Sequence, residues 1–133
     1  MIGLDTNVLV RYLVQDDPGQ GAAAATFIAR TCTSDEPAYL NTVVLSELTW
    51  VLSRPYDYRR DQIADVLDKL LRAAQLRFED PPLIWDALNA YRSGSADMAD
   101  CLIGAINAKG GCATTVTFDK KAARLTDFTL LDA

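Results

Sequence analysis

Histidine is absent from this 133-residue chain. Its absence removes Ser-His-Asp and Cys-His catalysis, imidazole-ligated zinc, and the side chain whose ordinary pKa lies nearest neutrality. Cysteine is scarce: Cys32, Cys101 and Cys112 are odd in number, far apart, and form no C-x-x-C pair. That spacing argues against a disulfide framework or a zinc knuckle and points to a reducing cytoplasm. No apolar run approaches the roughly 20 residues that cross a bilayer. The opening Met-Ile-Gly-Leu-Asp lacks the basic stretch of a signal peptide, so no membrane association is expected. Chemistry is left to carboxylates, hydroxyls, lysine, arginine or a bound cofactor.

What is present reads as one folded domain over residues 1–133. Half the residues are hydrophobic and 23% are charged, which suits a buried core rather than disorder. The net charge of −5 weighs against nucleic acid as a partner. Local basic clusters weigh the other way, at Arg54, Arg59 and Arg60 and at Lys120, Lys121 and Arg124. A local patch holds phosphates whatever the whole-chain charge.

The order of apolar patterns alternates strand and helix. Residues 1–4 read as a short buried strand, and Val8, Leu9, Tyr12 and Leu13 have helical spacing. Asp17-Pro18 looks like an N-cap followed by a first-turn proline, opening an Ala-rich helix to about residue 31. A strand is expected at 37–41, then a helix capped by Thr42 and stopped before Pro55. Further helices are expected at 59–74, from Pro81-Pro82 to about Tyr91, and from 96 to the glycine stop at Gly110-Gly111. Strands at 76–79, 113–118 and 128–131 and a short helix at 120–125 complete the series. This order implies a parallel sheet covered by helices, with ligands bound beyond the carboxyl ends of the strands.

Several carboxylates stand where that site would lie. Asp5 and Asp119 each follow an expected strand; the plainer readings are a helix cap and a turn aspartate. Asn7 stands where a second aspartate would make D-x-D, which counts against an aspartyl-phosphate mechanism. Glu47 shares a helix with Val44, Leu48 and Val51, so it is expected inside an apolar stripe, where a lone charge is costly. Asp97 and Asp100 open the helix that contains Cys101-Leu-Ile-Gly-Ala-Ile106, a stretch expected to be buried. Asp100 is the better ligand of the two, and Asp97 a cap or secondary ligand. Two unit charges about 4 Å apart interact by roughly 4 kcal/mol at an effective dielectric of about 20. Acids brought together therefore need protonation, separation or a cation, and Mg²⁺ or Mn²⁺ suits oxygen ligands. Such an ion favours metal-assisted cleavage of a phosphodiester, with an unligated carboxylate as proton acceptor.

The segments LDTNVLVRYL (4–13), SELTWVLSR (46–54), ADMADCLIGAINAKGGC (96–112) and TFDKKAARL (117–125) resemble the PIN domain, and within it the VapC-like toxin ribonucleases of toxin–antitoxin pairs. The resemblance implies a three-layer α/β domain with a central five-stranded parallel sheet. It implies Mg²⁺- or Mn²⁺-dependent RNA cleavage with Asp5, Glu47, Asp100 and Asp119 as the acids. Metal ligation falls to Asp5, Asp100, Asp119 and the less regular Asp97, with Thr6, Asn7 and Thr117 as accessory positions. Thr6 and Thr117 match hydroxyls that orient the acids. A small antitoxin partner and a homodimer are implied by the same likeness. Ala122 stands where many relatives carry an aromatic residue.

Three other readings compete. A PIN-like RNA-processing nuclease without an antitoxin would use the same acids. A phosphotransfer receiver would need paired acids after the first strand and a mid-chain phosphoacceptor, and Asp5 stands alone. A non-catalytic module would use the acidic pocket to hold basic peptides. Tyr56 and Tyr58, set among arginines, are candidates for stacking RNA bases or for plain surface.

Overall fold

Five of the six α-helices begin at an aspartate or asparagine in the N-cap position, two of them with proline in the first turn; the sixth begins at Arg59 and Arg60 instead. The computed structural model describes residues 1–133. Its chain order is β1 (Ile2–Gly3), α1 (Thr6–Val14), α2 (Pro18–Thr31), β2 (Ala38–Leu40), α3 (Thr42–Ser53) and α4 (Arg60–Arg72). Then follow β3 (Leu76–Phe78), α5 (Pro81–Ser93), α6 (Met98–Lys109), β4 (Thr115–Thr117), a 3-10 turn at Ala122–Arg124, and β5 (Phe128–Leu130). Two compact units emerge, Met1–Glu79 and Asp80–Ala133. No helix is long and apolar enough to cross a membrane.

The first unit holds a three-stranded parallel sheet in the order β1-β2-β3, with Ile2 opposite Ala38 and Ala38 opposite Leu76. Its core is aliphatic: Leu9, Leu40, Leu45, Leu48, Leu52 and Leu67 are fully buried. Asp17 caps α2 through the Gln20 amide, with Pro18 in the first turn, as the sequence indicates. The cap of α3 is Asn41 rather than Thr42; its side chain accepts from the Val44 amide. Thr42 instead donates its amide and its hydroxyl to Glu79 Oε1, tying the start of α3 to the residue after β3.

The corner between α1 and α2 is locked by polar side chains. Gln15 ends α1 in the left-handed region (φ 59) and donates to the carbonyls of Tyr12 and Gly21. Arg11 donates to Gln20 and Asp16, and the Tyr56 hydroxyl donates to Asp16 at 2.7 Å. The tyrosine hydrogen bond is the largest cause holding the Asp16 carboxyl below its ordinary value. The loop after α3 is thereby fastened to the α1–α2 corner.

The second unit packs α5 against α6 and carries a separate two-stranded parallel sheet, β4-β5, with Thr115 opposite Phe128. The expected single five-stranded sheet is thus corrected to ladders of three and two strands. No strand exceeds three residues and β1 has two, so each ladder has few backbone pairs with which to extend. Gly104 of α6 is buried, and a Cβ there would meet Phe128 Cε2 at 2.7 Å. The helix ends at Gly110, and Gly111 takes the left-handed conformation (φ 97) that a side chain resists.

Candidate active site

In the first unit two acids meet one threonine. Asp5 leaves β1 with extended backbone and caps α1, its Oδ1 accepting the Thr6 amide at 2.8 Å. Thr6 is buried, and its hydroxyl donates to Glu47 Oε1 at 2.7 Å. Glu47 comes from the middle of α3, so the threonine joins acids 42 positions apart in sequence. Asp5 Oδ2 and Glu47 Oε2 stay uncommitted, available to a cation or a water.

Glu47 is exposed, not embedded in an apolar stripe. The buried side of α3 runs through Val44, Leu45, Leu48, Thr49 and Leu52. The helical period then turns Glu47 outward with Val43 and Trp50, its neighbours at i−4 and i+3. Asn7 is also exposed and lines, with Asp5 and Arg11, a groove of about 570 Å³ walled by Val8, Ala24 and Phe27.

In the second unit the acids come from α6 and from the turn after β4. Asp97 occupies the N-cap position of α6, but its side chain makes no capping hydrogen bond. Asp100, one turn into the helix, is half-buried. Burial first, then the negative charges of Asp119 and Asp97, push its carboxyl above the ordinary value. Asp119 is exposed, and its Oδ1 accepts the amides of Lys121 (2.8 Å) and Ala122 (3.2 Å), capping the 3-10 turn. Thr117 acts on the backbone of Asp119, accepting its amide at 3.0 Å, and does not touch the carboxylate. The stretch after Asp100 is less buried than its composition suggests, since Ile103 and Ile106 are both exposed.

No three histidine, cysteine or acidic side chains within either unit are drawn into a ready-made metal cage. The donors that exist are nevertheless all oxygens, and Asp100 feels the charges of Asp119 and Asp97. That donor chemistry fits a hard divalent cation, whose charge relieves the repulsion. Tyr56 is not a free aromatic, because its hydroxyl is tied to Asp16 and Arg11. Two exposed aromatics stand beside candidate acids, Trp50 one turn from Glu47 and Phe118 next to Asp119; Trp50 is the less expected, because a tryptophan in an apolar helix reads as core.

A small α/β protein with carboxylates held by hydroxyls and backbone amides is the class that this fold and these side chains define. The chain belongs to the PIN-domain family, whose profile matches residues 2–127 and so spans both units. It is similar to a VapC ribonuclease of Aquifex aeolicus (strain VF5), with 25% identity over 122 residues, 92% of this chain and 90% of that protein.

Proposed function

We propose that the chain is a Mg²⁺- or Mn²⁺-dependent endoribonuclease and the toxin of a toxin–antitoxin pair. The observation that carries the reading is the threonine shared by Asp5 and Glu47, which fixes one oxygen of each acid and leaves the other free. Membership of the PIN family and likeness to a VapC ribonuclease support RNA as the substrate. The likeness also supports a small antitoxin partner, a homodimer and a cytoplasmic setting. In this reading residues 1–133 act as one nuclease domain.

Asp5, Asp97, Asp100 and Asp119 would hold the cation, and they serve the same reaction as Glu47. When bound, the ion supplies a lowered water pKa and neutralises charge on the phosphate oxygens. Glu47 Oε2 accepts the proton of the attacking water, while the Thr6 hydroxyl keeps Oε1 from rotating into its place. The free Asp97 carboxylate adds charge at the start of α6 without breaking a cap. The unpaired surface bases Lys120 and Lys121, beside Asp119, face solvent where a phosphate backbone would run.

Purified chain incubated with total RNA tests the reading. Cleavage is expected with Mn²⁺ or Mg²⁺, with loss in excess chelator and in Asp5→Asn. Full activity in excess chelator would overturn the metal mechanism. Equal growth arrest on expressing wild type and folded Asp5→Asn would overturn RNA cleavage as the basis of toxicity.

A further inference from the structure

The outward face of α3 carries Val43, Glu47, Trp50 and Arg54 in succession, spaced by four, three and four residues. Val43 is 66% exposed and Trp50 61% exposed. An indole this open, on a helix whose leucines are buried, offers a flat apolar surface to solvent. It lies one turn from the carboxylate that Thr6 orients, where side chains at i and i+3 are neighbours. Arg54, one turn beyond Trp50, is exposed and makes no ion pair.

We propose that Trp50 stacks a base of the single-stranded RNA next to the phosphate attacked at Glu47, with Arg54 holding a neighbouring phosphate. The inference rests on the ribonuclease reading above and adds a specificity-determining residue to it. Three features favour RNA over a second protein on this face. An indole stacks on any base through its π-face, and an aromatic followed one turn on by an arginine suits a base with its neighbouring phosphate. Protein interfaces are depleted of charge at their centres, whereas Glu47 sits between Val43 and Trp50. Burying that carboxylate under a protein would leave Oε2 without water or a partner.

The test compares wild type, Trp50→Ala, Trp50→Phe and Arg54→Gln on a fluorogenic single-stranded RNA with saturating Mn²⁺. Stacking of one base corresponds to roughly 5- to 100-fold in affinity. Trp50→Ala should raise KM within that range and leave kcat within about twofold, and Trp50→Phe should restore most of the loss. Arg54→Gln should raise KM and flatten its dependence on salt. A second measurement uses the cleavage-silent Asp100→Asn protein and an oligoadenylate: tryptophan emission should be quenched on binding, and Trp50→Phe should abolish the quenching although Trp85 remains. Unchanged KM for folded Trp50→Ala together with unquenched emission overturns the proposal while leaving the ribonuclease reading standing. Conversion from dimer to monomer by Trp50→Ala with unchanged KM also overturns it, assigning the face to a second copy. A wild type that cleaves no RNA defeats the ribonuclease reading instead, and the quenching measurement then decides stacking by itself.

Discussion

Thr6 has one proton on its amide and one on its hydroxyl, and gives each to a different acid. A valine keeps the shape and the amide but loses the hydroxyl. Thr6→Val should therefore leave the Asp5 cap in place and release Glu47 Oε1. Outer partners that orient functional groups cost roughly 10- to 100-fold when removed. A fall of that size in kcat is expected for Thr6→Val, with Thr6→Ser close to wild type, measured on a single-stranded RNA at saturating Mn²⁺. Equal rates for all three proteins would deny the hydroxyl any role. The threonine was legible in the sequence only through family likeness. No periodicity or composition shows that a hydroxyl after a strand will reach a glutamate 41 residues away. Asp97 is the opposite case: its position reads as a cap, and the structure leaves its side chain out of the cap.

At the scale of elements, α6 approaches β5 through Gly104 more closely than a side chain allows. Gly104→Ala would place a methyl within 2.7 Å of the Phe128 ring edge and 3.3 Å of Asp127 Cβ. Overpacking costs about 1–3 kcal/mol, and alanine returns about 1 kcal/mol of helix propensity. A net loss of up to about 2 kcal/mol is expected by urea unfolding, and Phe128→Leu in the same chain should recover part of it. A more stable Gly104→Ala protein would mean that the ring moves aside freely. Elements themselves were largely legible, because prolines at 18 and 81 and the glycines at 110 and 111 mark boundaries by local sterics. The sheet was not. A strand of two or three residues announces itself by composition, but which strand it pairs with is decided by non-local packing. Glu47 shows the same limit, since a shift of one position around α3 exchanges a buried for an exposed side chain.

At the scale of the whole molecule, Asp100 costs the metal-free fold a repelled charge that the proposed function would use. The raised Asp100 carboxyl means the folded chain binds that proton more tightly than the unfolded chain. Its contribution is complete below the ordinary carboxylate value and is lost as pH rises through the raised one. Metal-free Asp100→Asn should therefore melt above wild type at neutral pH, and the gap should close as pH falls below the ordinary carboxylate range. Mn²⁺ should reverse the order: at about 100 times its dissociation constant an ion bound only by the folded state adds roughly 2.7 kcal/mol, to wild type far more than to Asp100→Asn. Asp97→Asn should lose activity only partly and keep most of the Mn²⁺ effect. Near-native rates for Asp100→Asn beside a dead Asp97→Asn would transfer the ligand role to Asp97. Differential scanning calorimetry with and without chelator reads both halves of the prediction.

The division of the chain at Glu79 also has a meaning in time. Ribosomes make the first unit before the second, at about 5–20 residues per second, and units fold in the order in which they emerge. A nascent chain that has passed Glu79 owns Asp5, Thr6 and Glu47 but none of Asp97, Asp100 and Asp119. Synthesis interrupted anywhere before residue 119 yields a product short of its full complement of acids. Asp119 is thus the last of these carboxylates to be made, and under the proposed function a fragment that stops before it lacks an acid the reaction uses.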